Sequence, residues 1–327
     1  MDLDNQSLIV QVCKLYYEQK MTQQEIAESF KMSRTKIVRL IQEGHELGIV
    51  QIRVLDPSES TVQDLSKKLM SFFPLKILEI VPNSDPESPL LYKSLAKRAL
   101  RVFMNYIGPN KKIGIGWGKS IYAFINEFSD ENLTFLQPSW IPMIGGLGEA
   151  EQYFQVNELI RLLQRKLGGI SHSLHAPALV ESQKIKETLF TDSGIQSVVK
   201  KWQELDIAIF GIGSVKSRKP SNPPLLHIKY LPDKDRREIF LSNAVGDILS
   251  RFFDKWGQQC NFESNPRIIG ISLEQLAQAP LSLAIAGGEQ KAEAILGALR
   301  GGYLNGLVTD ESAVKKIINL IQSDETN

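Results

Sequence analysis

From residue 75 onward, short apolar runs alternate with helical stretches, and four of the runs end in glycine-rich turns. LKILEIV leads to LLYKSLAKRALRVFMNYI, KKIGIGWG to KSIYAFINEF, and SWIPMIGG to NELIRLLQRKL. A run near HSLHAPALV precedes a helical stretch toward VVKKWQEL; DIAIFGIG follows, and LSLAIAGG leads to EQKAEAILGALRG. A strand that hands over to a helix returns to the sheet as a parallel neighbour, so the alternation predicts a doubly wound α/β domain with a mostly parallel sheet. No repeat of fixed period interrupts it. KSRKPSNPPLL, Lys216–Leu226, reads as a flexible basic, proline-rich excursion, with a lid as the alternative.

The turns are Gly114-Ile115-Gly116-Trp117-Gly118-Lys119-Ser120, Gly145-Gly146, Gly211-Ile212-Gly213-Ser214 and Gly287-Gly288. Open α/β sheets bind ligands beyond the carboxyl ends of their strands. Glycines let backbone amides approach a ligand, and helix N-termini favour anions. Gly116, Trp117, Gly118, Lys119 and Ser120 could thus cradle a phosphate, with Gly146, Gly213, Ser214 and Gly288 nearby. The alternative is that the glycines only tighten strand-to-helix turns. The first turn is not a Walker A loop, because Ile113 stands where that loop needs its first glycine; nor is it a dinucleotide fingerprint, because Lys119 stands at the third glycine. Lys291, one turn into a helix after the diglycine, could meet an anion or simply be solvated. Asp247, in AVGDI, could accept sugar hydroxyls or cap a turn. His172, His175 and His227 show no metal spacing, and no cofactor is expected.

The first 55 residues differ in kind. Leu8, Val12, Leu15 and Tyr16 recur at helical spacing and predict a helix ending near Lys20. Thr22 and Glu25 form a capping box, with Met21 and Ile26 as its hydrophobic staple, at the head of TQQEIAESF. After Lys31-Met32, Ser33 is a second N-cap, and the next helix buries Ile37, Leu40 and Ile41. Two short helices joined by a tight turn after a supporting helix make a helix-turn-helix. The segment holds seven basic and seven acidic residues, yet Lys31 to Arg39 contains four basic residues and no acid. Positive charge gathers on one helix, whose Arg34, Thr35, Lys36 and Arg39, with Ser33 and Gln23 beside them, are candidates for contacting DNA bases and phosphates. Val50, Ile52 and Val54 alternate as a short strand, which could be a wing or an exit strand. Residues 59–71 read as a linker helix.

The formal net charge of +1 confines any nucleic-acid contact to that local patch. Cys13 and Cys260 lack metal-ligand spacing, and Cys13 fits a buried helical face. No apolar run reaches 18 residues and the N-terminus carries no signal peptide, so a cytoplasmic protein without a membrane partner is expected.

TQQEIAESFKMSRTKIVRLIQEGHELGIVQIRV resembles the helix-turn-helix of the SorC family of sugar-responsive bacterial regulators. GIGWGKSIY, MIGG, DIAIFGIGS, AVGDI, ISLEQL and AIAGGEQKAEAILGALRGGYLNGLVTDESAVKKII resemble that family's effector domain, in order and over nearly the whole chain. The resemblance implies a DNA-binding domain at 1–55, then a linker helix and an effector-binding and oligomerisation domain at 56–327. That second domain would be similar in fold to sugar-phosphate isomerases and deaminases. The implied partners are double-stranded operator DNA, a phosphorylated sugar effector and further copies of the chain, as a tetramer. Phosphate would meet the GWGKS turn and Lys291, with Asp247 and Gly213-Ser214 near the sugar. The chain departs from the family at Lys31, where the turn often has glycine, and at Val38, where serine is frequent.

An enzyme of the isomerase or deaminase type is the rival reading. Such chemistry needs a positioned acid and base, and the sequence offers no paired carboxylates or carboxylate–histidine set at these strand ends, so no catalytic residue is assigned.

Overall fold

The computed structural model describes residues 3–50, 57–82, 89–129, 134–148, 151–215 and 231–325. The chain divides into two compact units, Met1–Pro57 and Ser58–Asn327.

In the first unit, α1 (Leu3–Tyr17), α2 (Gln23–Phe30) and α3 (Arg34–Glu46) pack around Ile9, Val12, Cys13, Ile26, Ala27, Ile37, Leu40 and Ile41. α1 stops three residues before the Lys20 end expected from sequence, and Lys20 itself turns the chain with φ +54°. The capping box forms as expected: Thr22 Oγ1 accepts from the Glu25 amide, and Glu25 accepts from the Thr22 amide at 2.7 Å. Ser33 Oγ accepts from the Lys36 amide and starts α3. Between these helices Lys31 is left-handed, with φ +49°, and its amide closes the end of α2. α3 passes so close to α1 that a Cβ on Gly44 would lie 2.5 Å from Cys13 Sγ, which explains a glycine inside this helix. Ile49 and Val50 pack on the same core; Ile52 and Val54, the rest of the expected wing or exit strand, lie outside the described residues.

The second unit opens with α4 (Pro57–Phe72), the linker helix, and is built on a seven-stranded, all-parallel sheet. Its strands are β1 (Ile77–Val81), β2 (Lys112–Ile115), β3 (Ser139–Pro142), β4 (Ile170–Ser171), β5 (Ile207–Phe210), β9 (Leu281–Ile285) and β10 (Gly306–Asp310), in the order β1-β10-β9-β5-β2-β3-β4. β5 and β9 are buried along their whole length, as strands covered on both faces must be. The covering helices are α5 (Pro89–Tyr106), α6 (Lys119–Asn126), α7 (Val156–Leu167), α12 (Ala292–Arg300) and α13 (Glu311–Glu325). The spacing of Leu91, Leu95, Ala99, Val102 and Phe103 gives α5 one continuous apolar face against this core.

Two sequence expectations change. The run near HSLHAPALV is strand only at Ile170–Ser171. Residues 177–179 instead form isolated bridges, Gly146 with Pro177 and Leu179 with Ile268, because Pro177 has no N–H to donate to a ladder. AVGDI, which lay outside the alternation, is β7 (Ala244–Ile248) of a separate antiparallel sheet, between β6 (Gly213–Ser214) and β8 (Arg251–Asp254).

After β2 the chain moves to β3 and β4 on one side; after β5 it moves to β9 and β10 on the other. The carboxyl ends of β2 and β5 are neighbours, so the crevice between them is a topological switch point, where open α/β sheets take ligands.

Candidate functional site

All four glycine turns fall at the carboxyl ends of adjacent strands: the diglycine after β9, Gly211–Ser214 after β5, Gly116–Ser120 after β2 and Gly145-Gly146 after β3. The most telling is the start of α6. Gly118 occupies its N-cap with φ +113° and provides no side-chain cap. Ser, Thr or Asp caps α2, α3, α8 (Gln183–Leu189), α9 (Ser193–Val199) and α11 (Leu273–Ala277) through a side-chain oxygen. Among the described residues nothing accepts the first three amides of α6, at Lys119, Ser120 and Ile121. Unpaired N–H groups and the helix dipole converge there, which is the physical requirement for an anion.

The glycine amides behave differently from the sequence expectation. The amides of Gly116, Gly118 and Gly146 donate to the carbonyls of Ile209, Tyr153 and Ala176, and that of Gly288 to the Asp310 carboxylate. The glycines shape the turns; the open donors are those of the helix behind them. Trp117 is buried in the core, so it can offer the crevice only backbone. Gly211 has its own reason: a Cβ there would sit 3.2 Å from Ser120 Oγ, which lies between the two strand ends. Lys119 is exposed, its Nζ 5.8 Å from the centre of the Tyr153 ring.

Across the crevice, Lys291 Nζ donates to the Ile212 carbonyl at 2.8 Å, tying the β9 turn to the β5 turn. Burial pushes this ammonium down to about 8, while the negative charge of Asp247 acts the opposite way. Asp247 is 3% exposed and lies opposite Gly213 in the β6–β7 ladder. Its Oδ2 accepts from the Ser250 amide at 3.0 Å, so it does cap the β7–β8 turn, where Leu249 and Ser250 take φ of +51° and +63°. Ser214 Oγ donates to the Gln290 carbonyl at 3.2 Å. Contacts thus tie Gly213, Ser214, Asp247 and Lys291 together at the ends of β5, β7 and β9, while Gly116–Ser120 follow the neighbouring β2 and Gly146 follows β3.

Sequence reading missed Tyr153 and Gln155. Gln155 Nε2 donates to the Gly148 carbonyl at 2.6 Å, and its Oε1 lies 3.8 Å from where Gly146 would carry a Cβ. Neither belongs to a glycine turn, so local pattern gave no signal for them. His172 and His175 take no part in these contacts, and His227 lies outside the described residues. Among the described residues, no group of three or more His, Cys, Asp or Glu could hold a metal.

In the N-terminal unit Arg34, Thr35, Lys36 and Arg39 are exposed, as is Val38 between them. Arg34 Nε donates to Gln23 Oε1 at 3.3 Å, which joins the start of α2 to the start of α3. Arg39 pairs with Glu43 at 2.9 Å while remaining 81% exposed. Tyr16, Tyr17, Lys20, Thr22, Gln23 and Arg34 line an open hollow of about 810 Å³ beside this edge.

Comparison with known proteins decides the family. The sugar-binding domain family matches residues 59–319. The sorbitol operon regulator of Klebsiella pneumoniae is 30% identical over 96% of this chain and 98% of its own, and the full-length crystal structure of that regulator, SorC, superposes with a TM-score of 0.71 over 96% of this chain and 99% of its own. This chain belongs to the SorC family of transcriptional regulators. The deoxyribonucleoside regulator of Bacillus subtilis is similar over the same extent, 27% identical over 98% of this chain and 99% of that one. A transcriptional regulator from Streptococcus pneumoniae TIGR4 matches 81% of this chain and 99% of its own with a TM-score of 0.72 at 28% identity. As a SorC-family member the chain is a transcriptional regulator whose sugar-binding domain supports control by an effector. No helix among the described residues is long and apolar enough to cross a membrane.

Proposed function

We propose that this regulator binds operator DNA through residues 1–55 and a phosphorylated sugar through residues 56–327, which also join copies of the chain into a tetramer in the cytoplasm. The observation that carries the effector reading is the uncapped start of α6 at the switch point; Lys291 reaches the neighbouring β5 turn at Ile212, and Asp247 pairs opposite Gly213 of that turn. The phosphate sits on the amides of Lys119 and Ser120, the Ser120 hydroxyl and the ammonium groups of Lys119 and Lys291. Gly116, Trp117, Gly118, Gly146, Gly213 and Gly288 let the backbone shape the crevice around it. Asp247 and Ser214 meet sugar hydroxyls. On the DNA side Arg34, Thr35, Lys36 and Arg39 enter the major groove, with Gln23 holding Arg34 and Ser33 holding the helix start. A net charge of +1 makes a single unit a weak DNA ligand, so several linked copies supply the affinity.

No observation favours turnover. Asp247 accepts from the Ser250 amide, which gives it a structural role in the β7–β8 turn.

The test is a melting screen with pentose, hexose and hexitol phosphates beside their unphosphorylated parents. A ligand at a hundred times its Kd adds about 2.7 kcal/mol to the native state, so at least one phosphorylated compound should raise Tm by several degrees while its parent does not. A panel without any such shift overturns the effector reading. Operator release or tightening by the same compound, in a mobility-shift titration, then fixes the sense of control.

A further inference from the structure

The Asp310 carboxylate is fully buried at the end of β10, and it takes donors from two elements. Its Oδ2 accepts from the hydroxyl and amide of Ser312 and from the Ala313 amide, which starts α13. A helix cap needs no more than that. Its Oδ1 reaches the other way, across to the neighbouring strand, and accepts from the Gly288 amide. A buried carboxylate without donors costs several kcal/mol; here both oxygens are supplied, each by a different structure.

This contact accounts for both glycines of the diglycine turn. A Cβ on Gly287 would lie 2.6 Å from Asp310 Oδ1 and 2.9 Å from Leu95 Cδ1, so only glycine lets the carboxylate approach. Gly288 takes φ +98°, which other residues rarely adopt. The Gly288 carbonyl then accepts from the Lys291 amide at 2.9 Å and closes the single 3-10 turn Glu289–Lys291. That turn sets the direction from which Lys291 Nζ reaches the Ile212 carbonyl.

We infer that Asp310 is the positioning residue for Lys291: its carboxylate holds the Gly287-Gly288 turn with one oxygen and the start of α13 with the other, fixing the Lys291 ammonium in the crevice and linking effector occupancy to α13. The inference rests on the effector role proposed above for Lys291. It explains why aspartate stands here: asparagine has one accepting oxygen and must turn an NH2 toward one of two sets of N–H donors, and glutamate places its oxygens one carbon too far out.

The test compares Asp310→Asn, Gly287→Ala and Ser312→Ala in the full chain. Ser312→Ala loosens the α13 cap alone; the other two break the link to the turn from opposite sides. Amide hydrogen exchange without any ligand should rise at residues 286–295 in Asp310→Asn and Gly287→Ala and stay at the wild-type level in Ser312→Ala. Calorimetry with inorganic phosphate, and with the sugar phosphate giving the largest wild-type melting shift, should show about tenfold weaker binding in the first two variants only. Unchanged exchange at 286–295 in Asp310→Asn overturns the link. Loosened exchange with wild-type affinity overturns the positioning role, as does an equal loss in Ser312→Ala. Failure of every compound to bind the wild type instead sinks the effector reading, and the exchange data still decide the link.

Discussion

Two helices of this regulator are proposed to meet a phosphate-bearing partner, α3 the operator and α6 the effector, and they are built in opposite ways. α3 is closed at its N-terminus by the Ser33 hydroxyl, and exposed side chains carry its charge. α6 is left open by Gly118, and its backbone amides are the donors. A helix that enters a DNA groove must hold its shape alone and present side chains that distinguish bases. A helix that receives a small anion in a crevice needs unpaired amides and no side chain in front of them. The contrast teaches that the Ser33 cap leaves α3 complete by itself, while the bare Gly118 start leaves α6 with open donors that suit the proposed anion.

The sharpest way to break the comparison is at Lys291, which is proposed to share the phosphate with the start of α6 and reaches the Ile212 carbonyl. Lys291→Ala should weaken effector binding about a hundredfold, or about 2.7 kcal/mol, in calorimetry, while the protein stays folded. Its ammonium titrates near 8, so wild-type affinity should fall between pH 7 and 9 as the charge is lost, and this slope should flatten in Lys291→Gln. The stability of the free protein moves the other way. The folded state binds this proton less tightly than the unfolded chain, so the cost of burying the charge is present below about 8 and is relieved as pH rises toward the ordinary lysine value of 10.5. An affinity independent of pH over that interval would remove Lys291 from the phosphate.

The recognition helix comes next. Arg34→Ala should cost operator binding about 1–3 kcal/mol if it reads a base. Arg39→Ala should cost a similar amount and reduce the dependence on salt if it meets a phosphate, because its exposed pair with Glu43 is weak enough to give up. Mobility-shift titrations at two salt concentrations measure both.

The two helix starts should also respond oppositely to charge. Ser33→Ala removes a cap and should destabilise the N-terminal unit by about 1 kcal/mol. Lys119→Glu places an acid in the open first turn of α6 and should stabilise the free protein by about 0.3–1 kcal/mol, yet weaken effector binding severalfold by repelling the phosphate. Thermal melts with and without effector separate these effects, and a loss of free-state stability in Lys119→Glu would contradict the open start. The smallest effect is expected at Lys31→Gly. Lys31 holds φ +49°, so glycine should relieve about 1 kcal/mol of steric cost, seen as a slightly higher melting temperature with operator affinity unchanged.

Much of the fold was legible because its signals are local. The capping box at Thr22 and Glu25 and the Ser33 cap involve partners three residues apart, so the residue types alone announce the helix starts. The glycine turns were equally plain, though their reason was not. Sequence left open whether the glycines bring amides to a ligand or only tighten the turns; in the structure Gly287 admits the Asp310 carboxylate and Gly211 makes room for Ser120. HSLHAPALV was apolar enough to resemble a strand, but Pro177 withholds a ladder donor, and periodicity does not register that loss.

By itself, then, the sequence determined most of the elements, the caps at Thr22 and Ser33, the concentration of charge on α3 and the family, all carried by neighbours a few residues apart. Tertiary structure alone decided which turns meet. Strand order brings residues 116–120, 211–214 and 287–291 to one crevice, and separate sheet pairing sets Asp247 beside Gly213. The contacts of Lys291 with Ile212 and of Asp310 with Gly288 span 79 and 22 residues. Such contacts depend on how strands are ordered and how closely backbones pack, and no local pattern of residue types encodes either.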